Sequence, residues 1–385
     1  MTSDLTGGRR HDIDALRVFC FGTIIIYHTS LIYGTKDWWL NSVESSRLVD
    51  VIEITSHPWR MSLLFFISGL VTASLLRRRS VAEVRSTRSR QLLPPFILGV
   101  LLVVPPQIFL SPHNPFPDLS YWEFWVHYIQ SGVTLEHMWF LAYLWIYMFA
   151  WSVLQPKIQR HWPDISASLA NHLRGKGLFI FPILLLMALR VCLYPVFGVT
   201  LVITTDFYAH AVYFSMFMAG SLLVNEKGFW QEIDRQRWIS LAVAILSLLA
   251  LTGFHTLNIW QDMQETVSTA INITWPIFQW CAMMTLLAFA GRIASRPNRV
   301  VTYLNKSTMT YYIAHQTVIV IVGYYVAQAG LLDIRSFIPI VVATAIICAI
   351  IAEAKTLVTA RLARWIFNLT SVRKSMSKPV SSDVS

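Results

Sequence analysis

Apolar runs of about the length a helix needs to cross a bilayer recur along the whole chain. They fall near residues 13–33, 59–76, 92–110, 137–154, 178–194, 206–224, 238–254, 270–290, 308–328 and 336–355. This pattern predicts an all-α polytopic membrane protein with about ten transmembrane helices. The last run is expected to continue as an interfacial helix to Phe367. Residues 1–367 then form one membrane-embedded domain, and the polar segment 368–385 reads as a disordered cytoplasmic tail. The Arg9-Arg10 pair before the first run resembles the start of a signal peptide. The run itself is interrupted by Arg17 and His28 and lacks a small-residue cleavage site, so the first span is expected to stay attached.

Composition agrees with a bilayer environment, because 55% of the 385 residues are apolar or aromatic and only 14% are charged. The net charge of +10 comes from basic residues in the segments between spans, which points to topology and not to nucleic acid. Of the 31 Lys and Arg residues, 24 fall on one side of an alternating ten-span path. That side includes both ends of the chain, so both termini are expected to be cytoplasmic. A bacterial inner membrane is the expected location. Cys20, Cys192, Cys281 and Cys348 all lie in apolar runs and read as small core residues, not as metal ligands or disulfide partners. No metal site is expected.

Chemistry is sought where hydrocarbon rejects the side chain, since a charge at depth costs about 2.5 to 3.5 kcal/mol even on lenient scales. Arg17 and His28 are eleven residues apart, close to three helical turns, and so share one face about 16 Å apart. Asp14 extends this stripe toward the cytoplasmic end. Histidine exchanges protons near neutral pH, which makes His28 the first candidate for a general base or a nucleophile. His57 and Arg60 at the start of the second span are further candidates, as are Glu136, His137 and Trp139 at the start of the fourth. His315 in the ninth span joins them. Arg190 and Glu353 read as ion-pair partners between helices.

The run Ile13-Asp14-Ala15-Leu16-Arg17, with His28 after ten more residues, resembles the signature of the acyltransferase family 3 membrane proteins. Arg60-Met61-Ser62-Leu63-Leu64-Phe65-Phe66-Ile67-Ser68-Gly69 is similar to the family's second-span pattern, and His137-Met138-Trp139-Phe140-Leu141 to its fourth. The basic segment ending in Arg88, Arg90 and Pro94 matches as well, with Arg85 an alternative member of its arginine pair. His28-Thr29-Ser30-Leu31-Ile32-Tyr33 and Trp38 resemble the family members that succinylate periplasmic glucans.

The resemblance implies O-acylation of an extracytoplasmic glycan with acyl-CoA, here succinyl-CoA, as co-substrate and no permanently bound cofactor. It makes His28 and Arg17 the catalytic pair and Arg85, Arg88 and Arg90 the donor-binding arginines. Arg60 or Arg17 is a candidate partner for a succinyl carboxylate. Trp38, Trp39, Trp122, Trp125 and Trp139 are candidates for stacking on sugar rings. The implied partners are a periplasmic glucan, the acyl-CoA donor and membrane lipid, with a homo-oligomer left open. An acetyltransferase acting on lipopolysaccharide or exopolysaccharide is the alternative within the class. A secondary transporter or flippase is the alternative outside it.

Overall fold

The computed structural model describes residues 9–256 and 264–376. Its first half contains α1 (His11–Ser30), α2 (Arg47–Leu76), α3 (Val81–Leu98), α4 (Val104–Phe109), α5 (Tyr121–Gln130), α6 (Trp139–Ile158) and α7 (Trp162–His172). The second half contains α8 (Gly177–Phe197), α9 (Phe207–Leu223), α10 (Lys227–Arg235), α11 (Arg237–Thr256), α12 (Gln264–Ile293), α13 (Arg299–Gln328) and α14 (Phe337–Met376). Among the described residues there is no β-strand. Each expected apolar run falls on a helix. Among the described residues, seven helical segments are long and apolar enough to cross a membrane, and an eighth counts if α9 and α10, bent by 111° at their junction, form one span. The 20-residue α1 and 30-residue α13 are long enough but too polar for that criterion. Residues 377–385 of the expected tail lie outside the described residues, and α14 extends to Met376, beyond the expected end of the membrane domain.

Two boundaries differ from the sequence expectation for local reasons. The helix containing the second span begins at Arg47, so His57 and Arg60 lie inside it and not at its start. Its first turns carry Asp50, Glu53 and His57, which hydropathy rejects as membrane sequence but which face a cavity. The arginine-rich segment is not a loop beyond residue 80. Ser80 and Glu83 form a reciprocal capping box that starts α3, so Arg85, Arg88 and Arg90 sit on a helix. A π-helical turn, Gly99–Val103, then leads into the Pro105-Pro106 pair that opens α4.

The core is organised around α2. At Gly69 and Gly220 the backbones of α2 and α9 are in direct contact: a Cβ on Gly69 would overlap the carbonyl oxygen of Phe217, and one on Gly220 that of Phe66. Small residues at such crossings let helices approach closely enough for dispersion and hydrogen bonding to hold them in lipid. Ser221 Oγ donates to Gly69 O at 3.1 Å across the same crossing. Further polar ties join neighbouring helices, including Gln279 Nε2 to Ser62 Oγ at 2.7 Å and Trp280 Nε1 to Leu178 O at 2.8 Å. Cys20, Cys281 and Cys348 are buried, as expected, whereas Cys192 is exposed on the outer surface of α8.

Candidate functional site

Positions 17, 21, 24 and 28 of α1 share one helical face. Along it lie two cavities. Arg17 and Phe21 line a narrow one of about 150 Å³, while Ile24 and His28 line a wide one of about 900 Å³. Tyr312 of α13 lines both. The rings of Phe21 and Phe140 pack on Tyr312 with centroids 5.9 and 5.6 Å away, and its hydroxyl donates to the carbonyl oxygen of His137. Tyr312, with these two rings packed against it, stands between the cavities as a septum.

The wide cavity collects most of the candidates from different helices: His28, His57, Arg60, Glu136, His137 and Trp139. His28 is half-buried, and its ring touches those of Tyr27 at 4.8 Å, Trp38 at 6.0 Å and His315 at 5.0 Å. His57 stacks on Tyr27 at 5.6 Å. Glu136 has φ of +44°, a backbone state rarely adopted by L residues, and it opens the single turn that carries His137. Trp38, Trp39 and Trp139 line the cavity, whereas Trp122 and Trp125 stack on each other outside it.

The charges in the wide cavity are unevenly matched. Glu53 holds Lys36 at 2.5 Å, and Asp50 holds His255 at 2.9 Å. Arg60 is 2% exposed, donates to Ser56 Oγ at 3.1 Å and lies 4.1 Å over the Tyr27 ring. Its buried Nε has no partner. Arg190 also lines this cavity, bonded to Asn272 at 3.0 Å and Tyr208 at 3.3 Å and stacked against Tyr194 and Trp275. Among the described residues, no carboxylate lies within ion-pair distance of Arg60 or Arg190. The expectation that Arg190 and Glu353 act as interhelical ion-pair partners is therefore corrected. Glu353 accepts from the Tyr303 hydroxyl at the surface, and Arg190 is held by neutral and aromatic groups because the cavity wall, not a carboxylate, surrounds it.

The narrow cavity selects among the arginines of α3. Arg88 lines it together with Arg17, and Arg88 reaches only Gln91 Oε1, at 3.5 Å. Arg85 instead donates to the side chain and carbonyl of Ser152 on α6, at 2.7 and 3.2 Å. Arg90 is exposed and lines neither cavity. Asp14 is paired with Arg9 at 2.6 Å and accepts from Asn305 at 2.9 Å, away from both cavities. Two guanidiniums thus face a small cavity without a carboxylate among the described residues, an arrangement suited to a phosphate or another anion.

Sequence reasoning missed Tyr312, Arg190 and Gln279 as cavity residues. Tyr312 lies within the Tyr312-Ile313-Ala314-His315 run, but only the packing shows that it separates two cavities. His315 is fully buried behind the wide cavity, in ring contact with His28 and His137.

Residues 10–353 match the model of the acyltransferase family described as "Acyltransferase domain", and the chain belongs to that family. This makes it a multi-pass membrane acyltransferase by class. Among individual proteins it is similar to glucans biosynthesis protein C of Escherichia coli strain K12, with 21% identity over 83% of this chain and 84% of that protein. The protein of the same name from Salmonella paratyphi A is 23% identical over 84% of this chain and 86% of its own length. No solved structure matches the chain.

Proposed function

We propose that this protein transfers a succinyl group from cytoplasmic succinyl-CoA to hydroxyls of a periplasmic glucan. The observation that carries this reading is the alignment of the two cavities along α1, with Arg17 and Arg88 in one and His28 in the other. In this reading ten helices cross a bacterial inner membrane and both termini are cytoplasmic, as the distribution of Lys and Arg supports. The narrow cavity then opens toward the donor and the wide one toward the acceptor.

Arg17 and Arg88 hold an anionic part of the CoA donor, and the pantetheine arm brings the thioester past Tyr312. A glucan hydroxyl enters the wide cavity, where the indoles of Trp38, Trp39 and Trp139 offer apolar surface to sugar rings. His28 accepts the hydroxyl proton as the oxygen attacks the thioester carbonyl. The carbon–sulfur bond breaks, the ester forms, and the proton passes from His28 to the departing thiolate. Arg60, buried without a carboxylate, supplies the counter-charge for the free end of a succinyl group, which favours succinyl over acetyl.

The test is mass analysis of periplasmic glucans from a strain lacking this gene, complemented with wild type or His28→Ala. Wild type restores succinylated species and His28→Ala, inserted at equal level, does not. Restoration by His28→Ala contradicts the proposal.

A further inference from the structure

Three imidazoles from three segments meet beside the wide cavity: His28 on α1, His137 before α6 and His315 on α13. The ring centroids of His28 and His315 are 5.0 Å apart, and those of His137 and His315 are 5.2 Å apart. The hydrogens on this group follow from its partners. His315 Nδ1 lies 2.6 Å from Tyr312 O and 3.1 Å from Tyr311 O. Carbonyl oxygens only accept, so Nδ1 carries the hydrogen and Nε2 of the neutral ring is a bare lone pair. His137 Nε2 lies 2.8 Å from Ile313 O, which by the same logic leaves its Nδ1 bare.

Both bare nitrogens are buried without a partner, and so is His28 Nδ1. A buried polar atom left unmatched costs about 1 to 3 kcal/mol. Two of these three nitrogens can only accept, so the cluster is satisfied best when the third donates. That places a hydrogen on His28 Nδ1. It leaves the His28 Nε2 lone pair available as the base.

We propose that His315 is the positioning residue of His28: the two nitrogens, unpaired in this structure on rings 5.0 Å apart, pair when the His28 ring turns toward His315, whose Nε2 then accepts the Nδ1 hydrogen and fixes the tautomer and orientation in which His28 Nε2 takes the hydroxyl proton. The inference rests on the reading of His28 as the base. When Nε2 gains that proton, the Nδ1–H of the imidazolium stays directed at His315, and the proton later leaves from Nε2 to the CoA thiolate. The arrangement follows the base-and-orienter logic of triads, with a neutral imidazole as orienter. A neutral group places no further charge at membrane depth.

His315→Asn and His315→Gln separate this role from packing. Asparagine presents an amide nitrogen near the Nδ1 position and no acceptor at Nε2, whereas glutamine presents its amide oxygen near Nε2. In purified protein in nanodiscs, His315→Asn is expected to lower kcat by about 100-fold with both KM values changed by less than about twofold. His315→Gln is expected to recover at least about tenfold of that loss. The ¹⁵N spectrum of wild type is expected to show His28 as the Nδ1–H tautomer, assigned by its disappearance in His28→Ala. Wild-type kcat in His315→Asn, no recovery in His315→Gln, or a His28 Nε2–H tautomer overturns the inference. If His315→Asn does not insert, the tautomer in wild type decides. His28→Ala run alongside isolates the two claims: full transfer by it removes the base assignment itself, whereas an inactive His28→Ala beside a fully active His315→Asn removes only the role of His315.

Discussion

Arg17 on α1 and Arg88 on α3 line the same cavity of about 150 Å³, and among the described residues no carboxylate lies within ion-pair distance of either. Two guanidiniums beside one small cavity suit an anionic ligand. Hydrogen bonds to charged groups contribute about 1.5 to 3 kcal/mol each. Arg17→Gln and Arg88→Gln should therefore each weaken CoA binding by about 10- to 100-fold. Titration of CoA into the purified variants by calorimetry checks this, and Arg90→Gln, whose side chain is exposed and lines neither cavity, should bind like wild type.

Arg60 is expected to govern the choice of acyl group. Arg60→Gln keeps the approximate length of the side chain and loses the charge. It should lower kcat/KM for succinyl-CoA by about tenfold or more while leaving acetyl-CoA within about twofold. Competition between the two donors, read by mass spectrometry of the product, measures the ratio directly.

Tyr312 tests the septum. Tyr312→Phe removes the hydroxyl that donates to His137 O but keeps the ring between the cavities. It should cost about 1 to 3 kcal/mol of stability through the unsatisfied carbonyl and retain most transfer. Tyr312→Ala joins the cavities, and the expected consequence is faster hydrolysis of succinyl-CoA without acceptor. Release of free CoA with and without glucan distinguishes the two variants.

The crossing of α2 and α9 predicts a purely structural effect. Gly69→Val places its side chain on the Phe217 backbone and must force the helices apart. Overpacking of this kind costs about 1 to 3 kcal/mol or more. A lower thermal midpoint in detergent, with His28 untouched, is the expected result.

The Arg17 and His28 stripe was legible in the sequence because helical periodicity alone puts residues eleven apart on one face. Its division between two cavities was not, since Tyr312 reads as an ordinary aromatic until Phe21 and Phe140 are packed against it. Hydropathy also hid the start of α2, where Asp50, Glu53 and His57 face the wide cavity and not lipid. The α3 start was readable: Ser80 and Glu83 have capping-box spacing, but the surrounding arginines suggested a loop. Which arginine faces the narrow cavity is a matter of helix rotation, and the hold of Ser152 on Arg85 is visible only in three dimensions. Arg190 was misjudged because a buried arginine usually implies a carboxylate, and here two aromatic rings, Tyr194 and Trp275, take that place.

The central claim is that His28 is the base for transfer between the two cavities. The most direct measurement is single-turnover transfer by purified protein in nanodiscs, with labelled succinyl-CoA and glucan. His28→Ala should bind CoA as wild type does yet transfer at a rate lower by a factor on the order of 1,000. Transfer by His28→Ala at a rate near that of wild type contradicts the account.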